Sequence, residues 1–243
     1  MQPIIITSDK TSWSLRPLLH LARKYWPDMP RPIIGGYSRP EFELGAADFV
    51  SLGRFADYPV GKWSDGLINF LSLIDDPIVL LMMDDYWLNA PVNHAAIDYL
   101  ARYVEWHPYI ARLDVTGDRL GASNWSRFDD AGGLTLIKSD PHSLYHFSYQ
   151  AALWRKSLLL ECLRAGETPW QSEMNGDQRL RDLGYTVLGT TQPPMRYTIA
   201  VQQGKLALDG GYQTAAYAVP QDDAAYIVAQ DWIPRELMPE WVY

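Results

Sequence analysis

The sequence predicts an α/β fold: a mostly parallel central sheet flanked by helices, with a small C-terminal β-hairpin region. Three observations predict it. The chain opens as strand, helix, strand. A helix with one apolar face follows, carrying Trp63, Leu67, Phe70, Leu71 and Ile74. Then comes the continuous apolar run Ile78-Val79-Leu80-Leu81-Met82-Met83, as expected of a central strand buried on both faces.

Taken in order, Ile4-Ile5-Ile6 is a β-branched strand and Thr7-Ser8-Asp9 its exit loop. Leu15, Leu18, Leu19, Ala22 and Tyr25 recur at helical spacing, with Ser12 or Ser14 as cap and Pro27, Pro30 and Pro32 as stops. Ile33-Ile34 starts a second strand that Gly35-Gly36 ends, so the opening is a right-handed β-α-β unit. Residues 37–60 show no clear period apart from a short strand at Phe49-Val50-Ser51-Leu52. Asp75-Asp76-Pro77 closes the one-faced helix before the apolar run.

A helix is expected over 93–105 and a strand over 109–115. Residues 116–143 are polar and read as loop, with one short hairpin around Leu134-Thr135-Leu136-Ile137. A helix is expected over 150–164, with Ala151, Trp154, Leu158 and Cys162 on one stripe. Thr168-Pro169-Trp170-Gln171 is a capping box, so the next helix starts there, carries Glu173 in its first turn and ends near Gly184. Residues 185–188 read as a strand. Residues 197–201 and 206–208 flank a turn and read as a hairpin. The tail from residue 222 shows no strong period.

The 243 residues suit one domain, and an apolar fraction of 47% supplies a sizeable core. Cys162 is the single cysteine, so no disulfide staples the fold and a cytoplasmic setting is expected. Residues 1–6 carry no basic region or long apolar stretch, so no signal peptide and no transmembrane association are expected. The net charge of −8 disfavours a broad phosphate-gripping face. Ten tryptophans and fifteen tyrosines exceed what the core requires, and these side chains stack on sugars and nucleobases.

Asp84-Asp85 follows the apolar run. Ligand crevices of open α/β sheets lie beyond the carboxyl ends of the strands. Two adjacent carboxylates repel unless a cation or water screens them. A hard divalent cation would serve, and it would in turn bind a diphosphate. A solvated turn with an Asp cap is the plainer alternative.

The opening β-α-β, the helix closed by Asp75-Asp76-Pro77, the apolar strand and Asp84-Asp85-Tyr86-Trp87 together resemble the GT-A class of glycosyltransferases. The stretches Gln150-Ala151-Ala152-Leu153-Trp154-Arg155-Lys156 and Thr168-Pro169-Trp170-Gln171-Ser172-Glu173 look like the acceptor-side half of small bacterial and phage members. The sequence departs from the class motif at Met83, which stands two before Asp85 where the class has a carboxylate.

The resemblance implies one GT-A/Rossmann-like domain over 1–243, with a nucleotide-sugar half at 1–115 and an acceptor half at 116–243. It implies a hexosyl- or pentosyltransferase using a UDP- or GDP-type sugar and a glycan or small-molecule acceptor. A divalent metal, Mn2+ or Mg2+, would sit on Asp85, with Asp84 on the metal or the ribose and His142 as a late ligand; His146 shares that loop. Donor contacts would come from Thr7, Ser8, Asp9, Lys62, Asp65 and Asp84. Glu173 would be the base, with Asp177 one turn later, and Trp170 and Trp87 would meet the acceptor. Two other readings stand. One is a phage-type transferase acting on a hydroxymethylated base in DNA, which the aromatics suit and the charge opposes. The other is a non-catalytic carbohydrate- or nucleotide-binding protein on the same fold.

Overall fold

The computed structural model describes residues 1–122, 124–143, 145–213 and 215–238. In chain order the first half forms β1 (Gln2–Ile6), α1 (Leu15–Tyr25), β2 (Ile33–Gly36), β3 (Asp48–Ser51), α2 (Trp63–Ser72), β4 (Ile78–Met83), β5 (Tyr86–Leu88), α3 (His94–Trp106) and β6 (Ile110–Asp114). The second half forms α4 (Asp118–Gly121), β7 (Trp125–Ala131), β8 (Leu134–Ser139), β9 (Ala152–Arg155), α5 (Lys156–Cys162), α6 (Pro169–Leu183), β10 (Thr186–Thr190), β11 (Tyr197–Ile199), β12 (Val201–Gln202), β13 (Lys205–Leu206) and α7 (Gln221–Ala229). Among the described residues no helix is long and apolar enough to cross a membrane.

Among the described residues nine strands make the main sheet, in the order β3-β2-β1-β4-β9-β6-β10-β8-β7. β1 pairs in parallel with β2 and β4, β2 with β3, and β6 with β10. β9 lies antiparallel between β4 and β6. Only β9 and β8 run against the rest, so the sheet is mostly parallel, as the sequence predicts.

Alternate side chains of each strand enter opposite layers, because the strand repeat is two. Ile5, Ile34, Leu80, Met82, Leu113 and Leu153 pack with α1 and α3. Ile4, Ile6, Val79, Leu81, Trp154 and Val187 pack with α2, α5 and α6. Gly36 at the end of β2 lets Thr7 come close, since a Cβ there would stand 2.7 Å from Thr7 Cγ2.

The structure corrects several expected elements. Residues 152–155 are a strand and the helix begins only at Lys156. Ala152, Leu153 and Trp154 are all buried, and so short an apolar run fits either period. The hairpin near 134–137 is longer than expected, with β7 and β8 turning at Gly132 and Gly133, both at positive φ. Residues 197–199 pair with β5 instead of joining the local hairpin, which reduces to β12 and β13. The tail forms α7, which buries only Asp223 and Ile227 and so leaves little periodic trace; residues 239–243 lie outside the described residues. The capping box of α6 is present in full, with Gly184 left-handed at its end. Glu173 is the fifth residue of α6, past its first turn.

One polar knot stiffens the interior. Asp114, fully enclosed, meets Arg112 at 2.6 Å and Arg119 at 2.9 Å. Arg119 also donates to Ser139 at 2.9 Å and to the Tyr145 carbonyl at 2.8 Å. Removing one partner from such a group leaves a buried charge uncompensated. Asp114→Asn is therefore expected to cost about 3–5 kcal/mol of stability, read as a lowered denaturation midpoint in urea.

Candidate active site

Thr7 and Asp84 follow the paired ends of β1 and β4, where Ile6 stands opposite Met83. Thr7 Oγ1 donates to Asp84 Oδ2 at 2.6 Å, and the Asp84 amide donates to the Ile6 carbonyl at 3.1 Å. Ser14 does not cap α1; its hydroxyl donates to the Asp84 carbonyl at 2.9 Å and accepts from Trp87 Nε1 at 2.8 Å. The Asp85 carbonyl accepts from Ala200 N at 2.8 Å. These bonds hold Asp84 enclosed and leave Asp85 half-buried.

Both carboxyls line a cavity of about 360 Å³, together with Thr7, Ser8, Lys10 and Thr11. Its remaining wall is apolar and largely aromatic: Tyr37, Phe55, Tyr58, Trp63 and Phe70. The Tyr37 ring stands 5.3 Å from those of both Phe55 and Tyr58. The lining thus combines an aromatic cluster, of the kind that takes flat rings, with polar groups.

Burial raises Asp84 above the ordinary carboxylate range, against the hydroxyls of Thr11 and Thr7. Burial raises Asp85 as well, and the charge of Asp84 pushes it further. The two titrate as a unit. Among the described residues no three His, Cys, Asp or Glu converge on a metal position. The pair alone could hold a hard divalent cation such as Mg2+, which takes one or two carboxylates and fills its shell with phosphate oxygens and water.

A second cavity, of about 680 Å³, is lined by Arg112, Asp118, Gln150, Trp170, Glu173 and Tyr212 among others. Glu173 Oε1 accepts from Tyr149 N at 2.9 Å, and burial raises its carboxyl. Burial raises Asp118 too, against the Thr116 hydroxyl that donates to it. Two buried rings, Tyr86 and Tyr197, stack with centroids 4.4 Å apart. Tyr197 Oη donates to Gln150 Oε1 and stands 3.2 Å from Asp118 Oδ2. Burial lifts the Tyr86 hydroxyl well above its ordinary range, and the charges of Asp85, Glu173 and Asp118 add to it. The charges of three carboxyls from different parts of the chain thus bear on one buried phenol.

Of the residues singled out in the sequence, Thr7, Ser8, Asp84 and Asp85 line the first cavity and Trp170 and Glu173 the second. The others do not meet them. Trp87 is fully enclosed and has no face to offer an acceptor. Both oxygens of Asp9 accept from Ser38, at 2.8 Å each, which fastens two loops. Asp65 accepts from Gly166 N at 2.7 Å, and Lys62 is exposed outside the cavity lining. Asp177 accepts from Phe147 N at 2.9 Å and from Arg181, so it is occupied as a brace. His142 is not gathered with Asp84 and Asp85. β8 runs against β10, and its exit brings Pro141 beside Arg181 in the last turn of α6. His146 is buried, bonded through Nδ1 to Ser139 at 3.0 Å, and its imidazole is lowered to about 3 by burial and the nearby Arg119 and Arg112.

Sequence reasoning missed the aromatic wall, Asp118, Gln150 and the Arg112–Asp114 pair. A signal existed for the last, since Arg112 and Asp114 interrupt an otherwise apolar strand.

No protein-family model matches the sequence, and no curated protein matches it. The structure is similar to that of TarS residues 1–349 from S. aureus, a GT-A-type glycosyltransferase, with a TM-score of 0.50 at 11% identity. The match covers 81% of this chain and 59% of that one, so the chain spans about three fifths of that structure. The same residues of TarS in complex with UDP give the same score, identity and coverage. A 2-C-methyl-D-erythritol 4-phosphate cytidylyltransferase from Thermus thermophilus aligns with a TM-score of 0.39 at 14% identity, over 76% of this chain and 85% of that one. The TarS likeness shows the fold: the chain has the GT-A architecture that its sequence resembles.

The raised carboxyls fix the sign of a stability effect. A carboxyl raised on folding makes the folded state bind more protons than the unfolded one, so stability falls as pH rises between the unfolded and folded values. Asp85→Asn in chelator is therefore expected to raise the melting temperature by a few degrees at pH 8, with the gain shrinking towards pH 5.

Proposed function

We propose that the protein is a glycosyltransferase that moves a hexosyl or pentosyl group from a nucleotide-diphosphate donor, of UDP type, to an acceptor hydroxyl. One observation carries this reading: Asp84 and Asp85 line an aromatic-walled cavity, and the charges of Asp85 and of Glu173, from a second cavity, both bear on the Tyr86 hydroxyl. The UDP-bound TarS structure supports the choice of uridine.

In this reading the base stacks in the slot of Tyr37, Phe55 and Tyr58, and the ribose meets Thr7, Ser8 and Asp84. Asp85, with Asp84, would hold a divalent metal, Mn2+ or Mg2+. Such a metal neutralises charge on the departing diphosphate. Glu173 takes the proton from the acceptor hydroxyl as that oxygen bonds to the anomeric carbon and the bond from that carbon to the diphosphate breaks. The Tyr149 amide fixes the Glu173 carboxylate for this task, and burial keeps its affinity for a proton above the usual value. A one-step displacement of this kind inverts the configuration at the anomeric carbon.

Transfer of sugar from a UDP-sugar panel, with and without Mn2+, tests the proposal. Asp85→Asn is expected to weaken donor binding by roughly tenfold or more; unchanged donor binding in that variant would sink the reading. Glu173→Gln is expected to lower turnover by roughly 10²–10⁴-fold while sparing donor binding. The wild-type rate is expected to fall at acid pH with a midpoint above the ordinary carboxylate value, because Glu173 acts ionised. Persistent turnover in Glu173→Gln would remove it as the base.

A further inference from the structure

The cavity that holds Glu173 has two unlike kinds of surface. Its rim carries three large aromatic faces in water: Trp170 is 71% exposed, Tyr212 69% and Tyr145 66%. Exposed aromatic faces are costly to leave wet and are where flat apolar surfaces dock. Met174, one turn after Trp170 on α6, extends the platform beyond the cavity. The floor is polar instead, with Asp118, Gln150 and Glu173 among its groups. A pyranose matches both, since its C–H face is apolar and its edge carries hydroxyls that donate to carboxylates and amides.

Charge decides against an anionic ligand. The two arginines that line the cavity, Arg112 and Arg119, are buried and both are paired with Asp114. No exposed Lys or Arg lines it among the described residues. A nucleic acid draws its affinity from cations against phosphates, and here it would meet Asp118 and Glu173. A volume of about 680 Å³ also lies within the range of drug-sized ligands, which is more than one sugar ring needs.

We propose that the acceptor is an uncharged carbohydrate of at least two rings, with one ring against Trp170 and its hydroxyls read by Asp118 and Gln150. This rests on the transferase reading, since Glu173 belongs to the same cavity. Asp118 in turn owes its place to Tyr197 and Thr116, so the acceptor side is fixed by the same stacked rings that border Asp85.

The test is direct binding, by calorimetry and ligand-observed NMR, in separate titrations of UDP with Mn2+, of lactose, cellobiose and maltose with their monosaccharides, and of a single-stranded oligonucleotide bearing 5-hydroxymethylcytosine. At least one disaccharide is expected to bind more tightly than its monosaccharide, with no change on adding salt. Trp170→Ala and Asp118→Asn are expected to weaken it roughly tenfold and to leave UDP binding intact. Trp106→Ala, which removes an exposed tryptophan on α3, is expected to change neither. Trp170 packs against little, so its variant keeps the fold. Binding of UDP but of no disaccharide would overturn the carbohydrate acceptor and leave the donor reading standing. Salt-dependent binding of the oligonucleotide that Trp170→Ala abolishes would also overturn it, as would disaccharide binding indifferent to both variants. Failure of UDP and sugars alike would overturn both readings.

Discussion

The hydrogen bond from Thr7 to Asp84 joins the ends of β1 and β4, and the site is arranged around it. Parallel pairing brings Ile6 level with Met83, so the next residues leave the sheet side by side. Asp84 is taken into the interior there. A buried carboxyl without donors is costly, and the Thr7 hydroxyl supplies one. The Asp84 carbonyl is engaged as well, by Ser14, which in turn receives Trp87. The start of α1, the end of β4 and the start of β5 are thereby locked together. Asp85 is left facing the cavity because its neighbour is committed inward.

Much of this was legible in the sequence, for identifiable reasons. A strand covered on both faces must be apolar at every position, and Ile78–Met83 is, so both the strand and the acidic pair at its end could be read. The capping box at Thr168 could be read because its chemistry is local. The division of labour between Asp84 and Asp85 could not, since adjacent identical residues are told apart by distant groups such as Thr7, 77 positions away. Trp87 looked available because nothing near it in the chain reveals that Ser14 will receive its indole. Asp177 and Glu173 share a helix face, and only the backbone of residues 147–149 decides that one is a brace and the other lines a cavity.

The least legible element is the one that completes the site. β9 enters the sheet antiparallel, with Ala152 opposite both Leu81 and Asp114. Its start therefore lies at the same edge as the ends of β4 and β6. The segment that leads into it delivers Gln150 and the Tyr149 amide to that edge, and Glu173 closes on the amide. Had residues 150–155 been helical, as their spacing allows, no chain would separate β4 from β6. The aromatic pair Tyr86 and Tyr197 would then have no Gln150 beside it.

The charge of the molecule and the chemistry proposed for it meet at Asp84 and Asp85. A nucleotide diphosphate is an anion, and it would approach two carboxyls in a partly desolvated cavity. Like charges 4 Å apart repel by about 4 kcal/mol at a surface-like effective dielectric of about 20. A proton or a cation must therefore be shared by the pair before such a donor can settle. Burial already favours the proton, as the raised carboxyls show. A divalent cation that displaces it would bring two positive charges in place of one, which cancels the charge of the pair and leaves the cation to attract the diphosphate. Met83 then acquires a physical meaning. With no third carboxylate at that position, the pair alone would hold a cation loosely, and the diphosphate would become part of what binds it. Cation and donor would bind as one cooperative unit, each scarcely retained without the other.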